Sequence, residues 1–128
     1  MTLVSDGAAD SLQESAARFR SIYEHAAVGI TQVAMDGRLL MVNPAICQML
    51  GYTEAELLGK TFSELTHPDN RGPEQSLVEA MVRGERKSFE IETRRLHRDG
   101  TPLWVQVTSA LVQDEEGRPL YRISTVQD

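Results

Sequence analysis

The chain has 128 residues, enough for one domain with its own core, because a chain of this size buries about 68% of its unfolded surface. Hydrophobic residues make up 41% of the chain and charged residues 25%, a composition typical of soluble globular proteins. The formal net charge of −6 argues against nucleic acid or an anionic membrane surface as the partner.

Cysteine content and hydropathy favour a cytoplasmic domain. The single cysteine, Cys47, excludes an internal disulfide and fits a reducing compartment. No apolar run approaches the ~20 residues that a membrane span requires. The N-terminus also lacks the basic and apolar regions of a signal peptide. We therefore expect a cytoplasmic location.

The N-terminal segment predicts a flanking helix. Residues 1–10 have no periodicity and are expected to be flexible, whereas Ser11 and Glu14 fit a capping box that opens a helix over residues 11–26. Its apolar stripe comprises Leu12, Ala16, Phe19 and Tyr23, with Ile22 beside it. The stripe allows two compatible interpretations, a helix docked on its own domain or a dimer helix shared with a second copy.

The central stretch, residues 36–52, reads as a turn, a strand and a capped helix. Its opening Asp-Gly pair favours a hairpin turn, and the apolar residues 39–42 are too few for a helix. Asn43 is suited to cap the next helix, and Pro44 fits the first helical position. Gly51 then ends that helix.

Short helices and strands follow on both sides of this stretch. Further capping boxes at Thr53 and Thr61 predict two short helices, and a longer helix is expected to start at Gly72. The predicted strands cover residues 28–34, 39–42, 89–96, 103–112 and 120–126. Consecutive hairpins imply an antiparallel sheet of five strands with helices covering one face, which is an α+β domain.

Several sequence blocks, in this order and at this spacing, resemble PAS domains of bacterial sensor proteins. The blocks are HAAVGI at residues 25–30, DGRLLMVNPAICQMLGYTEAELLGKTFSELTHPDN at 36–70, RRLHRDGTPLWVQVTSALVQDEEGRPLY at 94–121 and VQD at 126–128. The last block matches the start of the family's terminal Asp-Ile-Thr signature. The resemblance covers roughly residues 18–128. It implies a PAS core over residues 27–128, with strand order 2-1-5-4-3 and a small pocket under the helices.

The resemblance also implies a function. PAS domains sense or transmit signals: a ligand, cofactor or partner changes the sheet, and flanking helices pass the change to an effector. The chain is thus expected to be a sensory module excised from a larger bacterial signalling protein, a histidine kinase or a cyclic-dinucleotide enzyme, acting as a homodimer. The alternative is a ligand-free module for dimerisation or protein interaction. No catalytic constellation occurs at a useful spacing, so we do not expect this chain to be an enzyme.

Neither flavin nor haem is expected as a cofactor. Photosensing PAS domains carry an Asn-Cys-Arg-Phe motif, but residues 60–63 read Lys-Thr-Phe-Ser, and Cys47 fits a buried, inert thiol. Haem-binding members place a His on the long helix. Here His67 precedes that helix, where the turn at Pro68 explains it better. Three scattered histidines and one cysteine give no metal-ligand spacing.

The candidate pocket combines apolar and polar positions. Parity places Arg95 on an inward face, where it could bind a ligand carboxylate, but buried arginine is rare unless paired, so we expect Arg95 to be exposed. Arg122 and Ser124 have the same parity as Val126, so for them too the sequence leaves open whether the side chain faces the pocket or the solvent. The apolar candidates, which would serve equally in an ordinary core, are Ile30, Val42, Ile46, Leu50, Leu58, Leu65, Leu77, Val105, Val107 and Val126.

Two further residues are candidates for signal relay. Trp104 has outward parity and is expected to pack under a flanking helix, the one carrying Phe19 and Tyr23. By resemblance, Asp128 is expected to pair with a basic residue on a neighbouring strand and to pass the signal to a following helix.

Overall fold

The computed structural model describes the backbone of residues 3–128 and the side chains from Gln13 onward. In chain order the elements are α1 Leu3–His25, β1 Gly29–Ala34, β2 Leu39–Val42, α2 Pro44–Leu50, α3 Glu54–Leu57, α4 Pro68–Val82, β3 Ser88–Leu96, β4 Pro102–Gln113 and β5 Pro119–Gln127. All strand pairs are antiparallel, and the sheet order is β2-β1-β5-β4-β3. This confirms the predicted α+β architecture and strand order.

The helices α2, α3 and α4 cover one face of the sheet, and the core lies between them. Alternate residues of each strand point into this layer, as the period of two requires. Its best-buried apolar side chains include Leu50 and Leu57 from the helical side and Val107 from the sheet. Each such side chain contributes about 1.5–3 kcal/mol through burial.

Strand register aligns three hydroxyl-bearing residues across the middle of the sheet. Thr31 of β1 lies opposite Ser124 of β5, and Ser124 lies opposite Ser109 of β4. All three side chains are buried on the helix-covered face. The inner face of the sheet is therefore polar at its centre, because directly opposite residues share a face.

The flanking helix α1 begins at Leu3, eight residues before the predicted start at Ser11. Ser11 lies inside the helix and is not its cap, and Met1 and Thr2 lie outside the described residues. Ala8 and Ala9 precede Ser11, and alanine is the residue that favours helix most, which gives the helix a reason to extend upstream.

Helix α4 begins at Pro68, four residues before the predicted start at Gly72. His67 caps it, because the His67 Nδ1 accepts a hydrogen bond of 3.1 Å from the backbone N–H of Asp69. Proline fits the first helical position because its missing N–H needs no partner there. The internal Pro73 removes one further helical hydrogen bond. The earlier start gives α4 an additional turn over the end of β3.

The short helix predicted from Thr61 is a turn instead. The Thr61 Oγ1 does accept from the Glu64 backbone N–H at 3.3 Å, as a capping residue would. The chain then leaves the helical path because it pairs with β3. The Leu96 N–H donates to the Leu65 carbonyl at 2.8 Å, and the His67 N–H donates to the Arg94 carbonyl at 2.9 Å.

Asn43 caps α2, as its sequence context predicts, and also ties α1 to the sheet. Its Oδ1 accepts from the backbone N–H groups of Ile46 at 3.2 Å and Ile30 at 2.9 Å. Its Nδ2 donates to the carbonyls of Tyr23 at 2.9 Å and Val28 at 3.0 Å. Two accepted and two donated bonds satisfy this fully buried amide, so one side chain joins the end of α1 to β1 and α2.

Candidate functional site

A cluster of polar side chains lies inside the core, between the inner face of the sheet and α4. Its buried members are Thr66, Glu74, Thr93, Arg95, Ser109, Arg122 and Ser124. Arginine and glutamate are almost never fully buried unless paired, and a buried polar group costs free energy unless it is hydrogen-bonded. The cluster is therefore the feature of this core that a purely structural role explains least.

Arg95 is buried, contrary to the expectation that it would be exposed, and only 5% of its surface is accessible. Its guanidinium forms a bidentate ion pair with the fully buried Glu74 of α4, with NH1–Oε1 and NH2–Oε2 distances of 2.7 and 2.8 Å. NH1 also donates to the Thr66 Oγ1 at 2.9 Å. The expectation failed because α4 packs over the end of β3 and places the Glu74 carboxylate opposite Arg95.

Arg122, on the central strand β5, is the second buried arginine and is 2% exposed. Its NH1 donates to the hydroxyls of Ser109 at 3.0 Å and Ser124 at 3.2 Å, and the Ser124 hydroxyl donates to Ser109 at 2.9 Å. The guanidinium carbon lies 4.4 Å from the centroid of the Phe62 ring, a cation–π contact.

Arg122 has no carboxylate partner among the side chains from Gln13 onward, and its NH2 group is buried without a hydrogen-bond partner in that part of the chain. Burial lowers the pKa of Arg122 to about 10, because the charged form loses its hydration. Since the charges of Arg95 and Glu74 cancel, the cluster retains one unpaired positive charge at neutral pH.

Two small cavities border Arg122 and Phe62. The inner one, of about 20 Å³, lies in the core beside Arg95 and Ser124, and is large enough for about one water molecule. The outer one, of about 60 Å³, lies between the β1–β2 turn and α4, next to Gln75 and Val78. Both cavities include Phe62 and Arg122 in their walls, so these two side chains stand between the core and the outer pocket.

The predicted pocket residues are distributed over several environments. The wall of the inner cavity includes Ile46, Leu50, Leu65, Arg95, Ser124 and Val126. Val42, Val105 and Val107 are buried in the core, and Leu77 packs against it. Ile30 is outside the wall because Gly29, Thr31 and Val33 take the inward positions of β1. The prediction that Leu58 lines the inner pocket is also wrong, since Leu58 is exposed and lines an outer groove.

Several polar residues of the cluster were missed by the sequence analysis. Glu74 was missed because its partner Arg95 lies on a strand 21 positions away, and Thr66 was missed because a helical turn was predicted next to it. Ser109 had a usable signal, because it has the same parity in β4 as Val105 and Val107. Register then places it opposite Ser124.

A second concave surface lies outside the core, where α1 crosses β2 and α3. This groove, of about 420 Å³, is lined by Ala16, Phe19, Arg20, Tyr23, Glu24, Leu40, Met41, Val42, Glu54 and Leu58. Of the predicted dimer helix residues, Ala16, Phe19 and Tyr23 line it, and Ile22 lies beside it and is exposed. The side chain of Leu12 lies outside the described residues.

Comparison with known proteins identifies the family. The chain matches the PAS fold family over residues 17–128. This chain belongs to the PAS family. It is 36% identical over 117 residues to a probable diguanylate cyclase, DgcE, of Escherichia coli, and 25% identical over 118 residues to the sensor histidine kinase TmoS of Ectopseudomonas mendocina. The alignments cover 91% and 92% of this chain but 11% and 12% of the relatives, so the chain spans about a tenth of their length.

A solved structure shares the fold. It is a domain of a sensory box sensor histidine kinase/response regulator from Geobacter sulfurreducens, with a TM-score of 0.77 and 26% sequence identity. The superposition covers 91% of this PAS domain and 96% of that domain. The relatives include a sensor histidine kinase and a probable diguanylate cyclase, which places this PAS domain among sensory and signalling proteins.

The predicted relay residues lie on the face of the PAS sheet that the helices leave open. Trp104 is 59% exposed there and lies under the guanidinium of Arg94, at 4.9 Å. The expectation that it packs under α1 is wrong, because Phe19 of α1 lies over β2 and α3. Asp128 is exposed near Trp104 and forms no ion pair among the described side chains, contrary to the expected pairing.

The residues considered for cofactor chemistry have structural surroundings in this PAS domain. Burial raises the pKa of the Cys47 thiol, with a further contribution from Glu54, which disfavours a reactive thiolate. His67 uses its Nδ1 to cap α4. Among the described residues, no cluster of three or more His, Cys, Asp or Glu could hold a metal ion. Between residues 3 and 128, no helix is long and apolar enough to cross a bilayer.

Proposed function

We propose that this PAS domain is a non-enzymatic sensory module that responds to a signal in its core and transmits it through α1 as a homodimer. The observation that carries the proposal is the exposed apolar surface of α1. Phe19 is 46% and Ile22 60% exposed in the single chain, although Phe19 belongs to the apolar stripe of the helix and Ile22 lies beside it. A helix of this length depends on packing for most of its stability, so the stripe needs a partner.

A second copy of the chain fits this surface. The groove contains charges of both signs, with Arg20 and Glu24 from α1 and Glu54 from α3. A two-fold contact brings each patch against its own copy, so such a surface can satisfy itself. The apolar contributions of Leu40 and Met41 continue the stripe of α1 across the groove and enlarge the area for burial.

Asn43 provides the route from the core to this helix. It holds the Tyr23 carbonyl of α1 and the backbone N–H of Ile30 in β1 through one amide, so a shift of the sheet displaces the end of α1. On the open face, Trp104 and Asp128 are proposed to contact an effector in the full-length protein. The small fraction of the relatives that the chain covers supports such an attached effector.

We also propose that the signal does not require haem or flavin. His67 already accepts a hydrogen bond as the cap of α4, and Cys47 lies on α2 with a raised pKa. Neither residue borders the inner cavity beside Arg122. The absorption spectrum of the purified protein tests this proposal, since a Soret or flavin band would contradict it.

The dimer is tested by analytical ultracentrifugation over a range of concentrations. We expect a reversible dimer, and we expect Ile22→Glu to weaken association because it puts a charge into the apolar contact. Leu120→Glu is the matched control, since Leu120 is equally apolar and 50% exposed but lies on β5, away from α1. A wild-type chain that stays monomeric, or equal weakening by both variants, would contradict the dimer.

The smallness of the inner cavity favours a second candidate function. A core that holds about one water molecule is also suited to a ligand-free module for dimerisation or partner docking. Mass spectrometry of the material released by denaturing fresh protein separates the two functions. A released small molecule supports the sensor, whereas protein that releases nothing and responds to no added ligand supports the ligand-free module.

A further inference from the structure

We infer that Arg122 is the anchor of a binding site for a small monocarboxylate, located in the outer pocket between the β1–β2 turn and α4. The inference specifies the ligand class of the sensory role proposed above and rests on that role. It is carried by three features of the structure: an unpaired buried cation, an unused pair of N–H donors and an adjoining cavity.

The polar cluster carries one excess positive charge, which one bound anion with a single negative charge would balance. Removing a guanidinium from water is costly unless an anion and hydrogen bonds compensate it. Arg95 has that compensation in a direct ion pair with Glu74, but Arg122 contacts only neutral serine hydroxyls and the face of Phe62. The nearby charges of Glu74 and Arg95 shift the pKa of Arg122 in opposite directions. A bound monoanion would neutralise the cluster, whereas a dianion would leave an excess negative charge in the core.

The free donor group favours a carboxylate. The Arg122 NH2 is the part of the guanidinium without a partner among the described side chains, and it carries two N–H bonds. Charged hydrogen bonds from arginine to carboxylate are about twice as strong as neutral ones. The bonds from NH1 to Ser109 and Ser124 hold the guanidinium in place, so little further ordering is needed when a ligand binds.

The space beside Arg122 limits the ligand to a short chain. The outer pocket has about 60 Å³ and is lined by Ala34, Gly37, Phe62 and Val78 around the arginine. These apolar walls suit a methyl or ethyl group behind the carboxylate. Gly37 leaves this space open, since a Cβ at this position would lie 3.4 Å from the Phe62 ring.

Two polar residues stand at the entrance of the pocket. The Gln75 side chain lines the wall and is exposed, and its Nε2 donates one long hydrogen bond of 3.5 Å to the Glu79 Oε1, which it can exchange for a ligand. Asp36 carries a negative charge there, but its carboxylate is engaged by Arg38 at 2.8 Å and is exposed to solvent, which screens it. The entrance therefore does not exclude an anion.

The site is placed to influence the sheet. Arg122 lies on the central strand β5, paired with Val33 of β1 and Leu111 of β4. A carboxylate bound to the Arg122 NH2 adds a charged contact to a guanidinium that already contacts Phe62 and the two serines. Ligand binding is thereby coupled to the strand that adjoins β1, whose Ile30 is bonded to Asn43.

Calorimetric titration and thermal unfolding of the whole chain test the inference, in a HEPES–sodium hydroxide buffer free of small anions. The probes are acetate and propionate, with acetamide and propionamide as uncharged controls of the same shape. At 100 times the dissociation constant, a carboxylate should raise the folding equilibrium constant about 100-fold, and the amides should leave it unchanged. In Arg122→Met the carboxylate response should disappear, and in Arg122→Lys binding should weaken about tenfold or more.

Each outcome decides for or against the site. Equal responses to acetate and acetamide, or a carboxylate response that survives in a folded Arg122→Met chain, would overturn the inference. Chloride acting as well as acetate would overturn the assignment to carboxylates. If Arg122→Met does not fold, amide-shift NMR of the wild type decides: the shifts must centre on Gly37, Phe62 and Arg122. Dimerisation is measured separately, so loss of this site and failure of the dimer proposal are distinguishable.

Discussion

The two buried arginines of this PAS domain have opposite surroundings. Arg95 meets a buried carboxylate through two parallel hydrogen bonds and a threonine hydroxyl through a third. Arg122 meets two serines and an aromatic ring, and keeps one NH2 group without a partner among the described side chains. Both lie on the inner face of one sheet, so their difference reflects the partners that the helices supply and not burial itself.

The difference separates a structural role from a functional one. A satisfied buried ion pair fixes the position of α4 on β3, and removing either partner leaves an uncompensated charge. An unsatisfied buried cation lowers the stability of the chain. Strained or unpaired groups of this kind persist in native proteins mostly where function requires them. The following predictions test this contrast, from the largest expected change in the free energy of unfolding to the smallest.

Arg95→Met should destabilise the chain by about 4 kcal/mol, because the fully buried Glu74 then loses its only charged partner among the described side chains. Urea unfolding monitored by far-UV circular dichroism measures the change. The double variant Arg95→Met, Glu74→Leu should recover most of the loss, since neither charge of the Arg95–Glu74 pair then remains in the core. A double variant as unstable as the single one would show that the ion pair is not the source of the effect.

Asn43→Ala should cost about 3 kcal/mol, because it removes the cap of α2 and leaves buried backbone groups of Tyr23 and Val28 unpaired. The loss measured for Asn43→Ala thus gives the contribution of a fully hydrogen-bonded, uncharged polar side chain to the free energy of unfolding, for comparison with the two arginines. Hydrogen exchange should show increased opening at the C-terminal end of α1 in this variant. Thr53→Ala, which removes an exposed cap at α3, is the control and should cost about 1 kcal/mol. Equal costs would contradict the tie between α1 and the sheet.

The fold was predictable because its local signals agree with its tertiary structure. The Asp-Gly turn, the Asn43 cap, Pro44 and the glycine at 51 each specify one backbone conformation, and α2 has the bounds that they predict. Alternation of apolar residues specified the inner faces of β3 and β4. The start of α4 was missed because a histidine cap is an unusual signal and an internal proline imitates a helix start.

The polar cluster was predictable only in part, because its pairs depend on contacts between distant segments. Parity placed Arg95 and Arg122 on the inner face, but nothing in the local sequence states that Glu74, 21 positions from Arg95, shares its layer. The position of Glu74 follows from the pairing of the segment around Thr66 with β3. The sequence of the strand that carries a buried arginine therefore does not predict whether that arginine has a carboxylate partner.

Arg122→Met, unlike Arg95→Met, should not destabilise the chain, and we expect an outcome between no change and a gain of about 2 kcal/mol in the free energy of unfolding. The variant loses the serine bonds and the Phe62 contact but removes an unpaired buried charge, and Ser109 and Ser124 keep their mutual bond. Urea unfolding in the same anion-free buffer measures it. A loss as large as that of Arg95→Met would show that Arg122 is a structural residue whose charge is already compensated.

Tyr23→Phe should have the smallest effect, a gain below about 1 kcal/mol at neutral pH. The Tyr23 hydroxyl is buried without a partner among the described side chains, so its removal costs no hydrogen bond within them.

Burial raises the pKa of Tyr23 above its ordinary value near 10, and Glu54 and Cys47 add to the rise. The phenol therefore stays protonated in the folded chain at a pH where the unfolded chain ionises. Its contribution to stability is present in full below about pH 10 and is lost as the pH rises through the folded pKa. Unfolding measured below and above pH 10 should show a smaller alkaline loss in Tyr23→Phe than in the wild type, and parallel losses would contradict the buried phenol.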